Sequence, residues 1–262
     1  MNNEVAELKN PYFDIQAKIG INIHLGGLKT IKELVTLCQI DADKCVLVVG
    51  CGNGISTCKI LEMYGCTIVG IDIYERMVDL SCRRAENEAF SERAEFMVAD
   101  AQDLPFNDNV FDAVISNTVT SFSDNKQKVI SGYVRVLKKG GFLGLNEVTW
   151  MQEPTPEMRK YAINAIGGCK PETARKWKQL LNDQELQNVT IKSYNMKKLD
   201  QFISGFKLTG LTTSLKAGYL LLLIYLTKTE YREAIKKMAK YARPMPKYFT
   251  KFHGYGIYVG RK

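Results

Sequence analysis

Between Lys44 and Trp150, short apolar runs rich in Val, Ile and Leu alternate with longer segments of helical period, and this alternation constrains the fold more than any other feature. The runs are VLVVG (46–50), CTIVGIDI (66–73), AEFMVA (94–99), FDAVIS (111–116) and GFLGLNEV (141–148). Strands that read as continuous apolar runs are buried on both faces, which requires crossover helices on both sides. The core is therefore expected to be a doubly wound α/β domain with a mostly parallel sheet. Ahead of it, apolar residues at 28, 31, 34, 35 and 38 predict a helix entered through Gly26-Gly27. Behind it, the pattern predicts two helices, the second opened by Pro171, then a strand at 188–196, a helical region over about 200–242 and a final strand at 254–262.

The first run breaks into Gly50-Cys-Gly52-Asn-Gly54. Glycines after a first strand bring the backbone close to a ligand at the carboxyl edge of the sheet. A dinucleotide loop would place its third glycine three residues after the second, where this chain has Ile55; the third glycine here is one residue earlier. Other polar groups follow in register. Asp72 ends the second run, where a carboxylate can accept ribose hydroxyls. Asp100-Ala101 follows the third, where an acid and neighbouring backbone can read an adenine edge. Ser116-Asn117 ends the fourth, and a Gly-Gly turn leads into the fifth. Together they describe a seat for an adenosine without phosphates.

In these motifs the chain resembles the class I S-adenosylmethionine-dependent methyltransferases over about residues 24–150, most closely the small-molecule branch that includes the ubiquinone and menaquinone C-methyltransferases. The resemblance implies a Rossmann-like, doubly wound sheet of seven strands, mostly parallel with the last antiparallel, carrying a helical cap. It implies S-adenosylmethionine as cofactor and S-adenosylhomocysteine as product. The cofactor roles fall on Gly50, Cys51, Gly52 and Gly54 at the methionine part, on Asp72 at the ribose, on Asp100 and Ala101 at the adenine, and further on Ile73, Met77 and Asn117. The segment IHLGGLKTIKEL resembles one that covers the methionine end, which adds Gly26, Gly27 and Thr30. The implied organisation is an N-terminal helical segment (1–43), a cofactor-binding core (44–150), and a basic part (151–262) of cap helices plus the last two strands of the same sheet. One position departs from the family pattern: Val48 stands where an acid commonly precedes the first glycine by two residues.

Methyl transfer from a sulfonium is an in-line displacement on an activated electrophile, so proximity and orientation suffice unless the nucleophile must lose a proton. Candidates for a base are Glu147, at the carboxyl end of the fifth strand, and His24, in the segment before the first; His253 is expected to be structural. The region after the fourth strand reads SNTVTSF, which lacks both the N-P-P-Y pattern of amino-group methyltransferases acting on bases and a Pro-Cys nucleophile. Nucleic acid is therefore not favoured as substrate. A non-catalytic cofactor-binding protein and a methyltransferase acting on RNA or protein stay open as alternatives.

The net charge of +8 is uneven: residues 1–150 carry 15 basic and 20 acidic side chains, residues 151–262 carry 21 and 8. That field favours anionic partners. Apolar and aromatic residues from the end of the fifth strand onward, among them Trp150, Met151, Tyr161, Ile166, Trp177, Phe202 and Phe206, favour an organic, partly apolar acceptor. The run AGYLLLLIYL (217–226) is too short to span a bilayer, which takes about 20 residues. The segment after it is basic and amphipathic, with Tyr231, Ile235, Met238 and Ala242 on one side, and suits either a cap helix or peripheral contact with an anionic membrane. Seven cysteines without a C-x-x-C pair read as reduced, apolar filling in a cytoplasmic protein, and no metal site is expected.

Overall fold

The structure, a computed structural model, describes residues 10–22, 24–196, 198–243 and 245–262. The first apolar run forms β1 (Cys45–Val49), which pairs in parallel with β2 (Thr67–Asp72) on one side and β4 (Phe111–Asn117) on the other. β3 (Ala94–Val98) extends the sheet beyond β2, and β5 (Leu137–Trp150) lies beyond β4. The final strand β8 (His253–Arg261) runs antiparallel between β5 and β7 (Gln187–Asn195), so the order is β3-β2-β1-β4-β5-β8-β7. An eighth strand, β6 (Glu172–Thr173), pairs only with the end of β5.

Side chains alternate across β1, and each set is buried by a different layer. Val46 and Val48 join Ile31, Leu34 and Val35 of α2 (Gly27–Leu37) and Ile60 and Leu61 of α3 (Ile55–Tyr64). Leu47 and Val49 join Val129, Ile130 and Tyr133 of α5 (Lys126–Val136) and Trp177 and Leu181 of α7 (Ala174–Asn182). Val48, the departure from the family pattern, is thus wholly buried in an apolar cluster, where a carboxylate would need a partner among hydrocarbon. Helix α4 (Glu75–Asn87) covers β2 and β3.

The regions outside this core differ from the pattern-based expectation in three ways. Pro171 does not open a helix: it precedes β6, and α7 starts after Thr173, whose hydroxyl accepts the Lys176 N–H. The long helical region is three helices, α8 (Lys198–Thr209), α9 (Leu211–Thr227) and α10 (Thr229–Ala242). They are divided at Gly210, whose φ of 80° and ψ of 163° suit only glycine, and at the extended Lys228. A further helix, α1 (Pro11–Ile19), capped by Asn10, packs on α9 and α10 as well as on the core. Between them lie α6 (Pro156–Ala165), capped by Thr155, and the short α11 (Phe249–Phe252).

Candidate functional site

The strand order reverses between β1 and β4, and at the carboxyl ends of β1, β2, β3 and β4 a cavity of about 580 Å³ opens. This is the crevice in which open α/β sheets bind ligands. Its floor is the loop after β1. The N–H groups of Gly50 and Cys51 donate to Ile71 O at 2.8 and 2.9 Å, which folds the loop over the end of β2. The Gly52 N–H then donates to Asp72 Oδ2 at 2.9 Å, and the Tyr74 N–H donates to Oδ1 at 3.0 Å. Burial pushes the Asp72 carboxyl above its ordinary value, while the N–H groups of Tyr74, Gly52 and Ile73 draw it back toward the charged form. An anchored carboxylate that lines the cavity is suited to accepting a pair of hydroxyls. Asp100, which accepts the Gln102 N–H at 2.9 Å, and Ala101 lie farther along the same wall.

The opposite end is apolar. Val148 of β5, Leu25, Phe122, Ile166 and Met196 line it. Helix α1 adds Tyr12, Phe13 and Gln16, and Asn10 Nδ2 donates to Gly167 O at 2.9 Å, tying this roof to the segment after α6. His253 completes the wall, stacked on Phe249 at 4.9 Å and edge-on to Trp150 at 5.9 Å. Burial lowers its imidazole to about 4, so it is neutral at pH 7, and its Nε2 has no hydrogen-bond partner.

Residues 47–145 match the methyltransferase domain family. An uncharacterised protein of Haemophilus influenzae is 31% identical over 180 residues, covering 66% of this chain and 70% of that one. The chain belongs to the class I S-adenosylmethionine-dependent methyltransferases. The sterol 24-C-methyltransferase ERG6B of Gibberella zeae is 37% identical over 102 residues, which are 39% of this chain and 27% of that enzyme. A Haemonchus contortus phosphoethanolamine N-methyltransferase 2, solved with phosphomonomethylethanolamine and S-adenosylhomocysteine, superposes with a TM-score of 0.69 at 14% identity, covering 95% of this chain and 56% of that one. The chain thus spans between a quarter and about half of these two named enzymes, and the last match is one of fold. The cofactor of this methyltransferase is S-adenosylmethionine.

Of the residues the methyltransferase pattern pointed to, Gly50, Gly52, Asp72, Ile73, Met77, Asp100, Ala101 and Asn117 line this cavity. The others sit behind it, for definable reasons. Gly54 has a φ of 77°, and a Cβ there would lie 2.9 Å from the Ser81 Cα, so this glycine serves the approach of α4 to the loop. The Cys51 thiol is buried beneath the loop near Ser81 Oγ, and burial raises it beyond the range of a reactive thiol. Gly26 and Gly27 pass under Tyr255 of β8 and Ser204 of α8, and Thr30 is buried beside Gly26, so all three fasten α2 to the cap. His24 is likewise buried outside the cavity wall, with its imidazole lowered to about 4 by burial.

Glu147 also does not reach the cavity. Its carboxylate is wholly buried and accepts the Thr120 N–H at 2.9 Å, the Ser121 N–H at 3.0 Å and the Ser121 hydroxyl at 2.7 Å. Burial raises its pKa, and these donors offset the rise. With its oxygens so occupied it holds the turn Thr120–Phe122 after β4, whose neighbours Val119 and Phe122 line the cavity. It is a positioning residue, in place of the base that its location on β5 suggested.

Several polar residues of the wall escaped the sequence, Asn22 and His253 among them. Asn22 lies against the glycine loop, its Nδ2 2.2 Å from where a Gly52 Cβ would be, and its Oδ1 is buried without a hydrogen-bond partner. His253 read as structural because it precedes the final strand expected at 254–262, yet it opens β8, and its pairing with Trp150 carries it past Val148 to the cavity wall. The only available signal was the register of β8 on β5, which requires the fold.

Proposed function

We propose that this methyltransferase acts on a small, partly apolar organic acceptor by direct in-line displacement. The observation that carries the reading is the polarity gradient of one cavity: anchored carboxylate and glycine loop at one end, a mostly apolar and aromatic wall with the neutral imidazole of His253 at the other. S-adenosylmethionine, when bound, supplies a methyl group already activated on a sulfonium. Asp72 would hold the ribose, Asp100 and Ala101 the adenine, and Gly50 and Gly52 the methionine arm. Asn22 Oδ1, a buried acceptor beside that loop, would take a hydrogen bond from the ammonium that an acid at position 48 cannot reach from its apolar cluster.

At the other end, Leu25, Val148, Ile166 and Met196 would exclude water and orient the acceptor, which is where an alkyl transfer gains most from its enzyme. His253 Nε2, neutral and without a protein partner, would accept the acceptor's hydrogen bond or its departing proton. Sterol, phosphoethanolamine and geranyl diphosphate named for related or similarly folded enzymes span the range from lipophilic to anionic that this wall suits, and a quinone-type ring falls within it. The tied roof over the cavity favours such a molecule over an RNA or protein segment.

The test is calorimetric titration with S-adenosylmethionine and S-adenosylhomocysteine, followed by transfer of labelled methyl to a panel of acceptors graded in alkyl length and charge. Binding of both ligands with labelling that rises with alkyl length supports the reading. Binding with no labelled acceptor would leave a cofactor-binding protein, and labelling confined to RNA or protein would replace the small acceptor.

A further inference from the structure

Helix α9 contacts the body of the protein through one narrow side, on which Ala217 and Ile224 are buried, and it packs there against α1, α8 and α10. At 100° per residue, Leu211, Leu215, Tyr219, Leu222 and Leu226 fall together on the opposite side. They are between 57 and 65% exposed. This is the reverse of the usual amphipathic arrangement, in which the apolar stripe faces the core. The sequence located the amphipathic character in α10, but there Ala234 is buried and Tyr231, Ile235 and Met238 are partly covered against the cap, while α9 carries its leucines outward.

We infer that the outward face of α9 is a docking surface for an anionic lipid bilayer. An exposed stripe of this kind calls for an occupant, and its charged surroundings indicate which. From Gln201 to Thr229 there is no acidic residue, and Lys207, Lys216 and Lys228 are exposed on or beside α9. Helix α10 adds the exposed Lys236, Lys237, Lys240 and Arg243; of its acids, Glu233 is paired with Lys236 at 2.9 Å. An apolar stripe bordered by cations matches the acyl boundary and headgroups of an anionic leaflet. A second copy of this chain would bring the same lysines against one another, in a part of the sequence with 21 basic and 8 acidic residues.

The helix lies in the plane of the surface. Among the described residues no single helix is long and apolar enough to cross a membrane, and the apolar pair Ile203–Thr209 and Leu211–Thr227 is bent by 103°. Threading that pair through a bilayer would pull the buried side of α9, with Ala217 and Ile224, off the helices it packs on. Docked in plane, the inner side of α9 stays on the helix that roofs the cavity. The docking stands apart from the identity of the acceptor, and its test uses none.

The experiment is co-sedimentation of the whole protein with vesicles of phosphatidylglycerol and phosphatidylcholine, and of phosphatidylcholine alone, at physiological salt. The protein is expected to partition onto the anionic vesicles on the order of tenfold or more above the neutral ones. Leu215→Glu with Leu222→Glu should abolish that binding while cofactor affinity and melting temperature stay unchanged, since both side chains are more than half exposed. As an independent readout, Tyr219→Trp should give a blue-shifted emission only with anionic vesicles. Absence of binding, binding that survives the double glutamate variant, or a dimer in sedimentation velocity that the same variant dissolves would each overturn the inference.

Discussion

The sheet with its loops and the cap behind it use the same residue types to opposite ends. In the sheet, Leu47 and Val49 are at most 1% exposed and pack against side chains of α5 and α7. In α9, a run just as apolar leaves most of its leucines in water. Glycines divide in the same way: a Cβ on Gly54 would strike the backbone of α4, whereas one on Gly218 of α9 meets nothing within 4 Å. Space is exhausted where the cofactor loop is held and free where the molecule faces its surroundings. Substitutions in the first region should therefore be costly and specific, and those in the second cheap.

The largest effect is expected at Asp72. Asp72→Ala removes a carboxylate that lines the cavity and leaves the Gly52 N–H without its acceptor, so the loop loses this anchor together with the contact proposed for the ribose. Charge-assisted hydrogen bonds contribute about 1.5–3 kcal/mol each, and loss of two corresponds to a fall in S-adenosylmethionine affinity on the order of 100-fold or more by calorimetry. An unchanged affinity would detach Asp72 from the cofactor. Next comes Gly54→Ala. A left-handed backbone costs an alanine about 1–2 kcal/mol, and displacing the Ser81 backbone adds about 1–3 kcal/mol. The midpoint of chemical unfolding should drop accordingly.

How much of this was legible in the sequence follows the same division. The strands, their parallel course and the cavity-lining acid at the end of β2 could be read because a doubly wound sheet writes them locally: a β-branched run, a turn, a polar residue at the carboxyl end. Asn22 and His253 could not, since each reaches the cavity through a partner remote in sequence, the glycine loop for one and the β5–β8 register for the other. Glu147 was misread for a related reason: its strand end is right, but its oxygens are used by the turn that β4 delivers beside it. The helical region over about 200–242 was legible without its divisions, because helical periodicity persists through Gly210 and Lys228 and only the backbone shows the bends.

The buried histidines give the molecule an acid limb. Both His24 and His253 are lowered by burial from 6.5 to about 4. Between those values the unfolded chain binds protons that the native chain does not, so stability falls as pH falls from 6.5 toward 4 and levels below it. By pH 5 each histidine costs about 2 kcal/mol. Unfolding midpoints at pH 7 and pH 5 check this, and His253→Gln should flatten the difference by roughly half. Glu147→Gln sets an amide NH₂ against N–H donors of the turn, which costs about 2 kcal/mol and weakens cofactor binding through Val119 and Phe122. If turnover alone fell, with melting temperature and cofactor affinity intact, Glu147 would be a base after all.

The smallest effect is of opposite sign, and it probes the cap by the same chemical change that Gly54 suffers. Gly218 lies inside α9, between Ala217, which is buried, and Tyr219, which is 65% exposed. Its glycine leaves the unfolded chain more freedom than an alanine would, and the helix forfeits about 0.5–1 kcal/mol for it. With open space around the position, Gly218→Ala should raise the unfolding midpoint by that amount and leave cofactor affinity untouched. One methyl group thus destabilises beside Ser81 and stabilises on α9. A fall in stability for Gly218→Ala would mean that α9 is packed more closely in solution than its free leucines imply, and that its outer side is already covered.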